Sequence, residues 1–254
     1  MNALDLKEET IRVTDDVTGY VWEIPKRHTT ELVADVHERW VANVIVPERV
    51  ACSLVQAPFL EPEKSNGHYV VSLCMIFMRH AAPAWAPLNM GPASRNCALR
   101  VACIDVRDNS PAVWVDHRYS DSQLVEALSK LGFPPVHARL KVSIHDHGME
   151  IRTTDGIVDL RMVEHAIQVN RPKAFASLEN FEHYFTKGVR SYGPGINANE
   201  ATIIDMYKDA DNAFEHMRYY HGYLKTSLGA WPVDSVYRTL NGRYRWIYQG
   251  NAHF

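Results

Sequence analysis

Residues 106–135 read VRDNSPAVWVDHRYSDSQLVEALSKLGFPP, and the fold turns on how this stretch divides. Asp108-Asn109-Ser110-Pro111 is a turn, because Asp and Asn bond their own backbone and Pro fixes its φ. Ala112–Arg118 (AVWVDHR) follows as a predicted strand. Ser122–Lys130 then predicts a short helix with Leu124, Val125 and Leu128 on one face and Gly132 as terminator.

Working outward, more strands appear on either side. Upstream, Cys97–Val106 (CALRVACIDV) is an apolar run that Arg100 interrupts, and Tyr69–Met78 (YVVSLCMIFM) is apolar on both faces, as a central strand covered on each side should be. Downstream, Arg139–His147 alternates: Leu140, Val142 and Ile144 on one face, charged and polar residues on the other. Met149–Thr153 and Ile157–Met162 form a hairpin about Asp155-Gly156. Ala201–Tyr207 and Ser235–Tyr248 complete the set, the latter broken at Asn241-Gly242. Two further helices are predicted: Ser177–Thr186, with Ser177 as N-cap and Leu178, Phe181 and Phe185 as its buried stripe, and Asp211–Tyr220. The pattern is α+β, a mainly antiparallel sheet that curls into a cone or barrel-like form with a few peripheral helices. No repeat or linker divides residues 1–254, so one domain is expected. Regular strand–helix alternation and a glycine-rich turn, which a Rossmann sheet needs, are missing.

Bulk properties narrow the partners. A formal charge of −3 gives no phosphate-tracking surface, so no nucleic-acid partner is expected. Arg238, Arg243 and Arg245 do alternate with Tyr237, Tyr244, Trp246 and Tyr248, which reads as an amphipathic edge strand. The acidic first residues do not form a leader, and Tyr69–Met78 is too short to span a bilayer as a helix, so a soluble cytoplasmic protein without a membrane partner is expected. Cys52, Cys74, Cys97 and Cys103 form no CxxC pair and read as buried thiols. His145 and His147 share one strand face, but His137 lies on a different phase, so no metal site is expected. No nucleophile triad or phosphate loop is present, and no cofactor is implied.

The ordered set resembles the acetoacetate decarboxylase superfamily. Its core stretch is a strand, an Asp-Asn-x-Pro-Ala turn, a second strand and a Lys-Lys-Leu-Gly-Tyr-Pro loop. The corresponding residues here are Asp108-Asn109-Ser110-Pro111-Ala112 and Ser129-Lys130-Leu131-Gly132-Phe133-Pro134, with Val71–Met78 as the first core strand and Trp231-Pro232-Val233 in matching order. The resemblance implies a β-cone with a largely apolar central cavity, a lyase acting on a small organic acid or ketone, and an assembly that is often a homo-oligomer. The family reaction forms a Schiff base on a lysine whose pKa the pocket lowers. That nucleophile falls on Ser129, the second lysine of the pair on Lys130, one family glutamate on Cys74, another near Asn96, and the family's Gly-Arg-Glu gives way to Asp116-His117-Arg118.

The candidate site residues follow. Lys130 is either a displaced amine or a solvated lysine at a helix end. Arg100 and Arg118 each either bind an anionic ligand or pair with an internal acid, since a buried guanidinium is costly alone; Arg79, at a strand end, is a third such group. His117 is either a proton carrier or a hydrogen-bonded structural histidine. Asn96 either stabilises an oxyanion or caps a strand. Cys74 either contacts substrate or is a small buried hydrophobe. Trp85, in the loop 81–92, is assigned to the cavity rim by the resemblance. The expected activity is a lyase working by proton transfer and enolate or oxyanion stabilisation. A non-catalytic binder on the same fold, or a decarboxylase using Lys130, are the alternatives.

Overall fold

The structure, a computed structural model, describes residues 10–14, 21–25, 31–123, 125, 138–168, 171–186, 190–195, 197, 199–208 and 213–254. β1 (Thr10–Thr14) and β2 (Val21–Pro25) form a separate two-stranded sheet. A 14-stranded sheet holds the rest: β3 (Glu31–Val46), β4 (Leu60–Pro62), β5 (Lys64–Ser65), β6 (His68–Pro83), β7 (Ser94–Asp105), β8 (Ser110–Ser120), β9 (Ala138–His145), β10 (Gly148–Thr153), β11 (Asp159–Glu164), β12 (Arg190–Pro194), β13 (Glu200–Lys208), β14 (Glu215–His216), β15 (Tyr220–Thr226) and β16 (Gly229–His253). The α-helices whose full spans fall among the described residues are α1 (Glu48–Leu54) and α2 (Leu178–Thr186). None of the helices among the described residues is long and apolar enough to cross a membrane.

The strand pairings close on themselves. β16 pairs with β3, β3 with β6, β6 with β7, β7 with β8, β8 with β12, β12 with β13, and β13 again with β16. A second layer, β9–β10–β11–β15, joins β8 at one end and β16 at the other. Most pairings are antiparallel; β8–β12 and β8–β9 are parallel.

Hydrophobic burial divides the same way. Trp40, Leu73, Met75, Leu99 and Trp114 of the ring pack with Met149, Ile151, Leu160 and Met162 of the second layer in one core. The other face of β3, β6 and β7 is covered by α2, where Val41, Cys74 and Ala102 meet Phe181, Tyr184 and Phe185. This explains why β6 is apolar on both sides: residues 70–75 are all buried. α2 begins as expected, with the Asn180 backbone N–H donating to Ser177 Oγ at 3.1 Å. Its Phe181 ring stacks on Tyr237 at 3.6 Å.

Two expectations are corrected. β16 is not broken at Asn241-Gly242: Asn241 takes a left-handed φ of 47° and pairing with β3 resumes at Gly242. There is no helix over the described part of 211–220. Phe214 enters the α2 cluster, and Glu215 and His216 pair with Arg238 and Tyr237 of β16, so tertiary pairing overrides the local pattern. The predicted helix Ser122–Lys130 is helical at Gln123 and Val125, and most of the rest lies outside the described residues. The 16-residue strand β3 carried no expectation at all.

Candidate active site

Directly opposed residues in an antiparallel pair share a face. Across β8, β7, β6, β3 and β16 the register therefore lays three rows on the face that α2 covers. They are Val115–Arg100–Ser72–Asn43–Ser235, Arg118–Ala98–Cys74–Val41–Tyr237, and Ser120–Asn96–Ile76–Arg39–Thr239. Arg100 and Arg39 stand in the outer rows with Cys74 between them.

Both guanidiniums turn toward that sulfur. Arg39 Nε donates to Cys74 Sγ at 3.2 Å, and Cys74 also favours the charged form of Arg100. From the helix, the Phe185 ring covers both: Arg100 Cζ lies 3.9 Å and Arg39 Cζ 4.7 Å from its centroid. Arg100 Nη2 reaches the Phe185 carbonyl at 3.5 Å, and Arg39 lies 5.3 Å from the Tyr244 ring. Arg39 is 4% and Arg100 8% exposed. Among the described residues no carboxylate pairs with either.

Burial pushes the Arg100 pKa down to about 10, with Cys74 opposing and Arg39 adding to the depression. Burial acts in the same sense on Arg39, but Cys74 and Tyr244 close around its guanidinium and carry it upward. A cation–π contact is worth about 2 kcal/mol when desolvated. Burying an unpaired ion costs several kcal/mol. Phe185 therefore offsets only part of the cost, and Arg100 retains an unmet demand for negative charge.

Arg118 adds to that demand through a bulge. Leu99 opposes His117 and Arg100 opposes Val115, so Asp116 is an extra residue on β8. Strict alternation from Val115 would turn His117 toward the arginines; the bulge turns Arg118 there instead. Its guanidinium occupies the space beside Gly193, where an added Cβ would meet Nη1 at 2.6 Å. Nη1 is buried without a hydrogen-bond partner, and burial lowers the Arg118 pKa to about 10.

The other candidates lie apart. His117 faces the second layer, 2.5 Å from Asp116 Oδ2 and stacked on Tyr119 at 5.9 Å between centroids. Asp116, which also accepts from Trp114 Nε1 at 3.4 Å, raises the His117 pKa against the effect of burial. Asn96 is on the arginine face but donates to Ser94 Oγ at 2.9 Å, at the end of β7. Arg79 is exposed and contacts His37 and Asn241, both at 3.0 Å. Trp85 is 57% exposed in the loop after β6. Lys130 lies outside the described residues. A groove of about 390 Å³ lined by His145, His147, Glu150 and Arg161 belongs to the second layer, away from the arginines.

Arg39 is the member that sequence reasoning missed. The available signal was an arginine followed at once by a continuous apolar run, Trp40–Val46 apart from Asn43. A charge in a strand that ends buried on both faces calls for a partner or a ligand.

No protein-family model and no curated protein matches the sequence. Solved structures align with its fold. An acetoacetate decarboxylase from Legionella pneumophila aligns with a TM-score of 0.52 at 11% identity, over 87% of this chain and 86% of its own. An acetoacetate decarboxylase-like enzyme from Sphingomonas wittichii RW1 aligns at 0.52 and 8%, over 95% and 98%. The enduracididine biosynthesis enzyme MppR aligns at 0.51 and 10%, over 95% and 98%. At such identities architecture is what carries over: this chain has the acetoacetate decarboxylase-like fold.

Proposed function

We propose that the protein is an enzyme of lyase type that acts on a small organic acid or ketone beneath α2. The carrying observation is the pair of buried guanidiniums, Arg39 and Arg100, flanking Cys74 with no carboxylate partner among the described residues. A ligand carboxylate fits a guanidinium through two parallel hydrogen bonds. Fixed positive charge in a water-poor site also stabilises an enolate or oxyanion as it develops. Arginine does not move protons at neutral pH, so the proton carrier lies elsewhere, and Lys130 is the proposed one. The fold shared with decarboxylases supports lyase chemistry, and the cluster of cationic side chains supports an anionic substrate. Enolate stabilisation by the arginines, rather than a Schiff base, is the reading that Ser129 in place of the family lysine favours. The free thiols of all four cysteines support a reducing compartment, the cytoplasm.

The test is exchange of α-protons of pyruvate and acetoacetate in D2O, followed by NMR, with product analysis alongside. Arg39→Met is expected to slow exchange about a hundredfold or more. Borohydride trapping in the same mixtures separates the mechanisms: turnover without an adduct supports the arginine reading, and an adduct on Lys130 replaces it with Schiff-base decarboxylation. Thermal stabilisation by these acids with neither exchange nor product would identify a non-catalytic binder.

A further inference from the structure

The charge count on the α2-covered face exceeds what one carboxylate can satisfy. Arg39, Arg100 and Arg118 contribute three guanidiniums, and none has a carboxylate partner among the described residues. Arg39 and Arg100 converge on Cys74, so a single carboxylate there can serve both. Arg118 belongs to a different station. It stands on β8, separated from Cys74 on β6 by Ala98 on β7. Neighbouring strands lie about 4.8 Å apart, which puts the Cys74 and Arg118 backbones about 10 Å from one another. Ala98 is the smallest side chain in its row, and both it and Arg118 remain partly exposed. At its own end Arg118 is held by shape rather than by charge: Gly193 makes room for the guanidinium, and Nη1 has no partner.

We infer that the ligand is a small dicarboxylate, one carboxylate bound by Arg39 and Arg100 beside Cys74 and the other by Arg118 beside Gly193. A diacid with a carbonyl between its ends would meet both this requirement and the chemistry proposed above, on which the inference rests. A monocarboxylate at Cys74 leaves Nη1 of Arg118 buried and without a partner. Binding of the second carboxylate supplies that partner in a charge-assisted hydrogen-bond pair.

The experiment is calorimetric titration of the full chain with matched acids: propionate against succinate, butyrate against glutarate, 2-oxobutyrate against 2-oxoglutarate. Each diacid is expected to bind about tenfold or more tighter than its monoacid partner. Arg118→Gln should abolish that preference, and Arg118→Lys should retain part of it. Thermal unfolding of both variants reports whether they fold. If Arg118→Gln does not fold, the Arg118→Lys titration and the salt dependence of the wild-type preference decide. Equal binding of monoacids and diacids overturns the inference and leaves the anion site standing. A diacid preference that survives Arg118→Gln overturns the assignment to Arg118. Failure of every acid to bind overturns the functional reading beneath it, and the inference with it.

Discussion

β7 buries two charged residues five positions apart, and the protein treats them in opposite ways. Asp105, at one end, is fully satisfied. Arg107 donates to it from Nε at 2.8 Å, from Nη2 at 2.6 Å and from its backbone N–H at 3.1 Å, and Tyr192 adds its hydroxyl at 2.9 Å. The guanidinium of Arg107 holds the Asp105 carboxyl below the usual carboxylate range. Arg100, in the same strand, has a sulfur, an aromatic face and one long carbonyl contact. A fold that equips Asp105 so completely is able to pair a charge. Leaving Arg100 without an acid is the kind of local cost that marks a functional position.

Four measurements bear on this contrast, from the largest expected effect to the smallest. Asp105→Ala strands Arg107 and Tyr192 and should cost about 3 kcal/mol, read from urea denaturation midpoints. Arg100→Met should do the reverse, raising stability by about 1–2 kcal/mol while anion binding is lost. A loss as large as that of Asp105→Ala would mean that Arg100 is structurally paired after all, and the contrast would fail. A double-mutant cycle between Arg100→Met and Phe185→Leu should give a coupling of about 1 kcal/mol, and a coupling near zero would remove the aromatic face from the account.

The smallest effect concerns the other face of β8. Asp116 raises the folded His117 pKa above its ordinary value of 6.5. Its stabilisation is therefore fully present below that ordinary value and is lost as pH rises through the raised folded pKa. His117 is partly exposed, so the amount should stay below about 1 kcal/mol. Denaturation midpoints of wild type and His117→Gln at about pH 5.5 and about pH 8.5 should differ most at the lower pH. A gap that widens with rising pH would reverse the sign assigned here.

Much of the ring was legible because its strands obey simple rules. β6 reads as buried on both faces from its unbroken apolar run, the Asp155-Gly156 hairpin from its turn residues, with Gly156 at a φ of 71°, and α2 from its cap and aromatic spacing. The fold-family resemblance rested on the strands and turns around Asp108–Ala112, and the structure reproduces that arrangement. The candidate site was less legible, for two physical reasons. Arg39 lies in β3, where Glu31, Asp35, His37, Glu38 and Arg39 punctuate the apolar residues and disguise a strand whose second half is buried on both sides. The bulge at Asp116 inverts the facing of everything after it, and no residue type announces it. Counting alternate positions gives His117 the place that Arg118 occupies. Sequence periodicity reports which residues are apolar, and a one-residue slip in register lies beneath its resolution.

The pairing of β3 with β16 joins Trp40 to Arg238 and Glu31 to Ile247. The ring thus closes through contacts that span most of the chain's length, an arrangement associated with slow folding. During synthesis the edge of β3 must wait, unpaired, until β16 has left the ribosome. Arg39 has no enclosed surroundings before that moment, so the anion site comes into being only with the last act of assembly, and a chain shortened within β16 would lose its chemistry together with its closure.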